Sequence, residues 1–401
     1  MKKDIILIAN YWHFEEEKSS SRYRSFADIL CEKYDLEIIT STFCHLNKKQ
    51  REIKRLNIEA LPYKMKLCYE KGYKKNIGIK RILSYTEFGK NVYKYLKTRK
   101  IPDAIIVSVP SLAVADYASR FAKKNKIPLI IDIQDLWPEA FKMAFNIPII
   151  SDILFAPMMR QANNIYSRAD VIMAVSDTYV KRGKLVNNSA DGLSIYIGTD
   201  SSLVEEKTKG IEVKKDADKF VIGYVGALGH SYDIKEVIDA IKLLNDKGYN
   251  NIKFKIMGDG VCLTEFKDYA LKRKVDCEFL GMLEYGLMMK TLMMCDIAVN
   301  PIVGKSVSSI INKVSDYAAA GIPVINTQNN KEYRELLEQY EAGTNVENGN
   351  TEELANAILQ YYQNDEYKKI VGKNEKKMFD EMFDRRKIYP KLILKINELL
   401  D

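Results

Sequence analysis

Cysteine, histidine and long apolar runs are all scarce in this chain. Its six cysteines, at 31, 44, 68, 262, 277 and 295, form no CxxC pair and no metal-ligand spacing with the three histidines. That argues against structural zinc and a disulfide framework and fits a reducing compartment, so a cytoplasmic protein is expected. No stretch approaches the roughly 20 apolar residues a membrane-spanning helix needs. The amino-terminal MKKDIILIANYW turns polar too soon for a secretory leader and reads as a first buried strand. Tandem repeats and low-complexity tracts are absent. So is any DxD pair in a metal-holding context, since Asp132 and Asp135 are spaced differently.

What is present is apolar material for two cores. With 401 residues and 46% hydrophobic content, two domains of about 150 to 200 residues are the default. The first half alternates apolar runs with helical stretches, the pattern of a doubly wound parallel sheet. Strands are expected at Ile5 to Ala9, Leu36 to Thr40, Ala104 to Val109, Leu129 to Ile133 and Val171 to Val175. Ligands in such sheets sit beyond the carboxyl ends of the strands. The loop after the first strand, with Ser19, Ser20, Ser21, Arg22 and Arg24, therefore belongs at the mouth of a site, or else is a solvated loop capping a helix.

The fourth strand runs into DIQDLWPEAF. Asp135 and Glu139 supply carboxylates and Trp137 a flat amphipathic surface, the materials of a carbohydrate site; a buried tryptophan with a capping aspartate fits the same residues. From 198 to 219 the chain is polar and poorly periodic, a boundary between two domains. Alternation then restarts with FVIGYVGALGHSYDIKEVIDAI, a strand to Val225, a loop holding Gly226 and Gly229, and an amphipathic helix from Asp233. Backbone N–H groups at such a helix N-terminus make an anion site, although a simple tight turn also explains two glycines. Farther on, Met288, Met289, Met293 and Met294 read as adaptable helix packing.

The stretch Asn312 to Asn326, NKVSDYAAAGIPVIN, organises the second half. It reads as a helix, a stop at Gly321 and a buried strand, with three alanines permitting close approach. Lys313 and Asp316, three apart, share a helix face, where a phosphate beside a vicinal diol satisfies both; an ordinary small-residue helix against a sheet has the same pattern.

This segment resembles the donor-nucleotide motif of GT-B glycosyltransferases of family 4, E-x7-E followed by AMAxGxPV. The NK-x-x-DY-x-AAG variant resembles the capsule and surface-polysaccharide branch. The resemblance puts Asp316 on the ribose hydroxyls, Lys313 near the diphosphate and Ser308 where the first acid of the pair would stand, a departure from the pattern. It makes Gly226 and Gly229 the diphosphate loop, and Gly281 with Met282, in an FxGxV-like element, the base-embracing segment. DLWPEA is similar to the DLWPES motif of bacterial transferases handling N-acetylated sugars, which assigns Asp135, Trp137 and Glu139 to the acceptor side with Ser21, Arg22 and Arg24.

The family fold is α/β, two Rossmann-like domains with parallel sheets facing across a cleft and a C-terminal helix crossing back to the first domain. Its boundaries here fall at 1–198 (acceptor side), 199–380 (nucleotide sugar) and 381–401 (crossover helix). The reaction implied is retaining transfer of a sugar from a UDP-sugar, with no metal required and Lys313, Asp135 and Glu139 as catalytic candidates. Two alternatives share the fold, a non-hydrolysing UDP-sugar epimerase and a degenerate transferase serving as a partner subunit.

Residues 61–100 carry twelve basic side chains against only Glu70 and Glu87, a net +10 that exceeds the +8 of the entire chain. Seven aromatic rings interleave with them, from Tyr63 to Tyr95. Docking on an anionic inner-membrane surface is expected from such a stretch, and a solvated face also fits. RNA is disfavoured because no RNP, KH or helix-turn-helix signature accompanies the charge.

Overall fold

The computed structural model describes residues 2–17, 22–76, 78–141, 148–303 and 310–401. The chain divides into two compact units, Met1–Ile195 with Tyr389–Asp401, and Tyr196–Ile388.

In the first unit the strands are β1 (Asp4–Ile8), β2 (Asp35–Ser41), β3 (Phe43–Cys44), β4 (Lys49–Gln50), β5 (Lys64–Cys68), β6 (Ala104–Val109), β7 (Leu129–Ile133), β8 (Val171–Ala174) and β9 (Asp191–Ser194). Among the described residues seven of them form one sheet in the order β5-β2-β1-β6-β7-β8-β9, every pairing parallel, while β3 and β4 make a small antiparallel hairpin. Every side chain of β6 and β7 is buried, which is why AIIVSV and LIIDI are continuously apolar apart from Ser108 and Asp132. Helices α1 (Arg22–Lys33), α2 (Ile79–Leu96), α3 (Leu112–Asn125), α4 (Pro148–Tyr166) and α5 (Asp177–Lys184) connect the strands. The C-terminal helix, Pro390–Leu400, packs in this unit too: Tyr34 donates to Asn397 Oδ1 at 2.7 Å, and the Tyr389 ring lies 4.4 Å from that of Phe26.

The second unit holds α6 (Ser201–Thr208), β10 (Phe220–Val225), α7 (Ile234–Asp246), β11 (Ile252–Met257), α8 (Leu263–Arg273), β12 (Cys277–Gly281), α9 (Tyr285–Met293), β13 (Ile297–Asn300), α10 (Lys313–Ala320), β14 (Val324–Asn326), α11 (Lys331–Tyr340), β15 (Gly343–Asn345), α12 (Thr351–Gln363) and α13 (Asp365–Met378). Its strands pair in parallel in the order β12-β11-β10-β13-β14-β15. Helix α7 shows how sequence makes the element: Asp233 caps it by accepting from the Glu236 N–H, and Ile234, Val237, Ile238, Ile241 and Leu244 recur at helical spacing on the buried face.

Both sheets reverse direction of strand addition next to their first strand, between β1 and β6 and between β10 and β13. Loops diverge at such points and leave a crevice at the carboxyl ends of the strands, where ligands of doubly wound sheets bind. The predicted strands at 104–109 and 129–133 match to the residue. The strand β5 lies inside the basic stretch, where charge masked the alternation.

Candidate functional site

At the reversal point of the second unit stands Lys313, first residue of α10. Its ammonium lies 4.1 Å from the ring centroid of Tyr224 and 3.9 Å from that of Tyr232, and donates to Tyr224 Oη at 3.1 Å. It is buried with no carboxylate beside it among the described residues, and burial pushes its pKa well below the lysine range. Two aromatic faces offset part of that penalty. A cation held this way is short of negative charge.

The loop above it comes from β10. Gly226 adopts φ +139, a region L side chains rarely enter, and a Cβ there would stand 2.8 Å from Lys313 Nζ. Gly258 closes on the same loop from β11: its Cβ would fall 1.8 Å from Gly226 O, so only glycine permits the crossing. This second glycine was missed in the sequence, although GDG directly after a strand was the available signal. Two donors of the expected anion site are committed within the protein. The Gly226 N–H is bonded to Met257 O at 3.0 Å, and the Glu236 N–H in the first turn of α7 is taken by Asp233. Neither donor is free for a phosphate, so Lys313 is the cationic element of this corner. Gly229 has open space around it and no steric reason to be glycine.

Asp316, one turn along α10, has a separate partner set. Its Oδ1 accepts from Thr199 Oγ1 at 2.8 Å and from Tyr285 Oη at 3.1 Å. Burial raises its carboxyl, and the two hydrogen bonds oppose that rise. Lys313 and Asp316 thus lie on one helix with separate protein partners. Tyr285 opens α9 immediately after Gly281 and Met282, so Asp316 is tied to that loop; Gly281 is left-handed at φ +69 and Met282 is largely exposed. Ser308 and Ser21 lie outside the described residues.

In the first unit three assignments change. Of the two readings of Trp137, a platform for a sugar or a buried ring beside an aspartate, the structure matches the second: it is 6% exposed. Tyr85 is stacked at 6.1 Å, Phe141 lies at 4.6 Å and the Arg81 guanidinium at 4.5 Å. Its flat surface is spent on protein. Glu139 pairs with Arg182 at 2.5 Å, and Arg182 also reaches Asn163 at 2.8 Å, so this carboxylate is neutralised within the fold. Arg22 was placed at the site mouth, yet it is 4% exposed, lies over Phe26 and Tyr389, and meets the fully buried Asp132 at 3.5 Å. Arg24 stays near the surface, bonded to Glu15 at 3.0 Å, on a hollow of about 460 Å³ walled by Trp12, Phe14 and Tyr63. Asp135 keeps an available carboxyl: Oδ2 accepts from Trp137 Nε1 at 3.1 Å, and burial raises its pKa.

The aromatic anchors expected between 61 and 100 also need correction. Tyr63, Tyr73, Tyr85 and Phe88 are buried, and the apolar groups that reach solvent there are Tyr69, Ile79, Ile82 and Leu83. Arg99 is paired with Asp4 and Glu37, and Lys64 with Asp35. Lys71, Lys74, Lys75 and Lys80 remain exposed. Among the described residues no helix is long and apolar enough to cross a membrane.

Two Rossmann-like units, each a parallel sheet whose strand order reverses beside its first strand, define a protein of the GT-B fold. Residues 205–378, almost all of the second unit, match the family described as glycosyl transferases group 1, so that unit carries a glycosyltransferase domain. Solved structures agree on the fold. HepE from Anabaena in complex with UDP aligns with a TM-score of 0.69 at 14% identity, covering 98% of this chain and 100% of that one. Sucrose-phosphate synthase from Thermosynechococcus elongatus aligns at 0.66, with 14% identity and 99% of both chains covered. The lipopolysaccharide outer core galactosyltransferase WaaB, in its apo form, aligns at 0.62 with 15% identity, covering 98% of this chain and 99% of that one. A comparison with curated proteins finds no match.

Proposed function

We propose that this protein is a retaining glycosyltransferase of family 4, in the capsule and surface-polysaccharide branch. It moves a sugar, an N-acetylated hexose by the DLWPEA resemblance, from a UDP-sugar to a lipid-linked or saccharide acceptor at the inner face of the cell membrane. The observation that carries the reading is Lys313: a buried lysine with no carboxylate beside it among the described residues, beneath a glycine loop, at the reversal point of a glycosyltransferase domain. A nucleoside diphosphate supplies the missing charge. Structures of Anabaena HepE with UDP and with UDP-glucose support a nucleotide-sugar donor here.

The residues divide the work by unit, acceptor in the first and donor in the second; the boundaries expected at 198 and 380 stand at Ile195 and Ile388, and only Tyr389–Asp401 return to the first unit. As the bond to the anomeric carbon breaks, negative charge grows on the leaving diphosphate. A fixed cation stabilises that state more than the ground state, and the scheme requires no metal. Asp316 holds the ribose through Oδ2 while Oδ1 keeps Thr199 and Tyr285 in place. Asp135 is the acceptor-side carboxylate; Glu139, held by Arg182, positions the DLWPEA turn.

A thermal-shift panel of nucleotide sugars tests the donor, because ligand binding stabilises the native state by mass action. UDP-sugars raise Tm and other nucleotide sugars do not. Product analysis then decides between chemistries: transfer requires an acceptor, an epimerase converts the donor alone, and a partner subunit makes neither product. Asp316→Asn, which keeps an acceptor for Thr199, lowers UDP affinity by about 1.5 kcal/mol or more in calorimetry. Unchanged affinity removes Asp316 from the ribose.

A further inference from the structure

Three neighbouring strands of the second sheet end on the same residue type. Asn300 closes β13, Asn326 closes β14 and Asn345 closes β15, and the strand register sets them side by side. Asparagine is depleted in strands, so three in register call for a cause. Their side chains form an amide ladder across the carboxyl edge of the sheet. Asn300 Nδ2 donates to Asn326 Oδ1 at 2.9 Å, Asn326 Nδ2 to Asn345 Oδ1 at 3.0 Å, and Asn345 Nδ2 to the Arg334 carbonyl of α11 at 3.0 Å. Asn300 and Asn326 are fully buried, and buried amides are tolerated when paired, so the ladder fixes the strand ends relative to one another.

Thr327 carries that order toward the donor corner. Its N–H donates to Asn300 O at 3.1 Å, and its Oγ1 accepts from the Ile302 N–H at 2.9 Å. The other edge of the same short segment is bonded to the loop after β10: the Asp233 N–H donates to Pro301 O at 3.0 Å and the Val303 N–H to Ser231 O at 3.1 Å. Residues 300–303 are therefore a rib held between Thr327 and residues 231–233. Tyr232 lies in the middle of the second contact, opposite Ile302, and its ring is the face 3.9 Å from Lys313 Nζ.

We propose that Thr327 and the Asn300–Asn326–Asn345 ladder are positioning residues for Lys313: through the rib at 300–303 they fix the Tyr232 ring that shares the ammonium with Tyr224. Asn300, Asn326 and Thr327 are 1% exposed or less, so a bound nucleotide does not reach them and their effect passes through Tyr232. The inference rests on the reading of Lys313 as the cation of the donor corner and adds what sets its place.

Calorimetric titration of UDP into the full chain tests this as a double-mutant cycle. Thr327→Val keeps the shape and removes the hydroxyl; it is expected to weaken UDP by about threefold to tenfold, the order of one cation–π contact. Thr327→Ser restores the hydroxyl and with it the parent affinity. Tyr232→Leu removes the ring outright and weakens UDP at least as much. Thr327→Val added to Tyr232→Leu costs nothing further, because both changes act through one ring. Additive losses overturn the proposal, as does a Thr327→Val variant that binds like the parent or a Thr327→Ser variant that binds no better than Thr327→Val. If Thr327→Val does not fold, Asn345→Ser, at the half-buried end of the ladder, takes its place in the same cycle. A parent protein that ignores UDP sinks the donor reading alone. The place of Lys313 is then read from the part of the pH slope of urea stability that Lys313→Met removes: Thr327→Val shifts it and Thr327→Ser does not, and a slope that Thr327→Val leaves in place overturns the proposal.

Discussion

Lys313 and Gly226 are fitted to one another: the ammonium occupies the space a side chain at 226 would need, 2.8 Å from the position of its Cβ. The loop backbone and the buried cation are thus a single device.

Gly226→Ala breaks it in two ways, by forcing a side chain into φ +139 and by displacing Lys313. The backbone term alone is about 1–3 kcal/mol. Urea denaturation should show a loss of that order, and calorimetry a loss of UDP binding. A variant that keeps both shows that the loop does not depend on this contact.

Lys313 itself trades stability for binding. Its folded pKa lies below the unfolded value, so between the two the unfolded chain holds more protons and stability rises with pH. Below the folded pKa the full penalty of a buried charge is present. Lys313→Met removes it, so this variant should be more stable to urea than the parent, most clearly at low pH, while kcat falls more than KM rises. UDP binding to the parent should take up protons, seen as a calorimetric enthalpy that varies with the ionisation enthalpy of the buffer. An enthalpy independent of buffer refutes the coupling.

Glu236, in the first turn of α7, is raised to about 7 by burial and then by the like charge of Asp233. Its folded pKa exceeds the unfolded one, so the folded state holds the extra proton and stability falls as pH climbs from about 4.5 to about 7. The integrated effect is roughly 2–3 kcal/mol. Glu236→Gln should flatten that slope in denaturation series at pH 5, 6, 7 and 8; an unchanged slope assigns it to other groups.

Cosedimentation with vesicles tests the surface of the first unit. Anionic vesicles should retain the protein and neutral ones should not. Binding should vanish near molar salt, because exposed charges are screened within about 8 Å even at physiological ionic strength. Changing Lys71, Lys74, Lys75 and Lys80 to Glu should abolish it, at about 1 kcal/mol per basic residue. Arg81 is left out of that set because its guanidinium faces Trp137 and the tyrosines. Wild-type protein that ignores anionic vesicles at low salt leaves a water-soluble acceptor as the reading.

Much of this architecture was legible because parallel strands buried on both faces are apolar throughout, as in AIIVSV and LIIDI. Gly321 as a helix stop was legible for a related reason, since φ +67 has few other candidates. Side-chain roles were less so. Sequence gives the kind of group at Arg22 or Trp137 but not what comes to cover it. Arg22 is covered by Tyr389, more than 360 positions away, and Trp137 by Arg81 and Tyr85 from another helix. Charge was the most misleading signal. Twelve cations between 61 and 100 read as one patch, whereas folding spends Arg81, Arg99 and Lys64 on internal partners and hides a strand among them.

The first unit is also discontinuous in time. A ribosome delivers Phe26 and Tyr34 early, but the groups that cover them, Tyr389 and Asn397, leave the exit tunnel only after the second unit. Throughout synthesis of the second unit the nascent first unit carries an uncapped apolar seam beside α1. A gene fragment stopped at Ile195 preserves that unfinished state permanently, and joining residues 389–401 to it through a short linker would supply the missing piece.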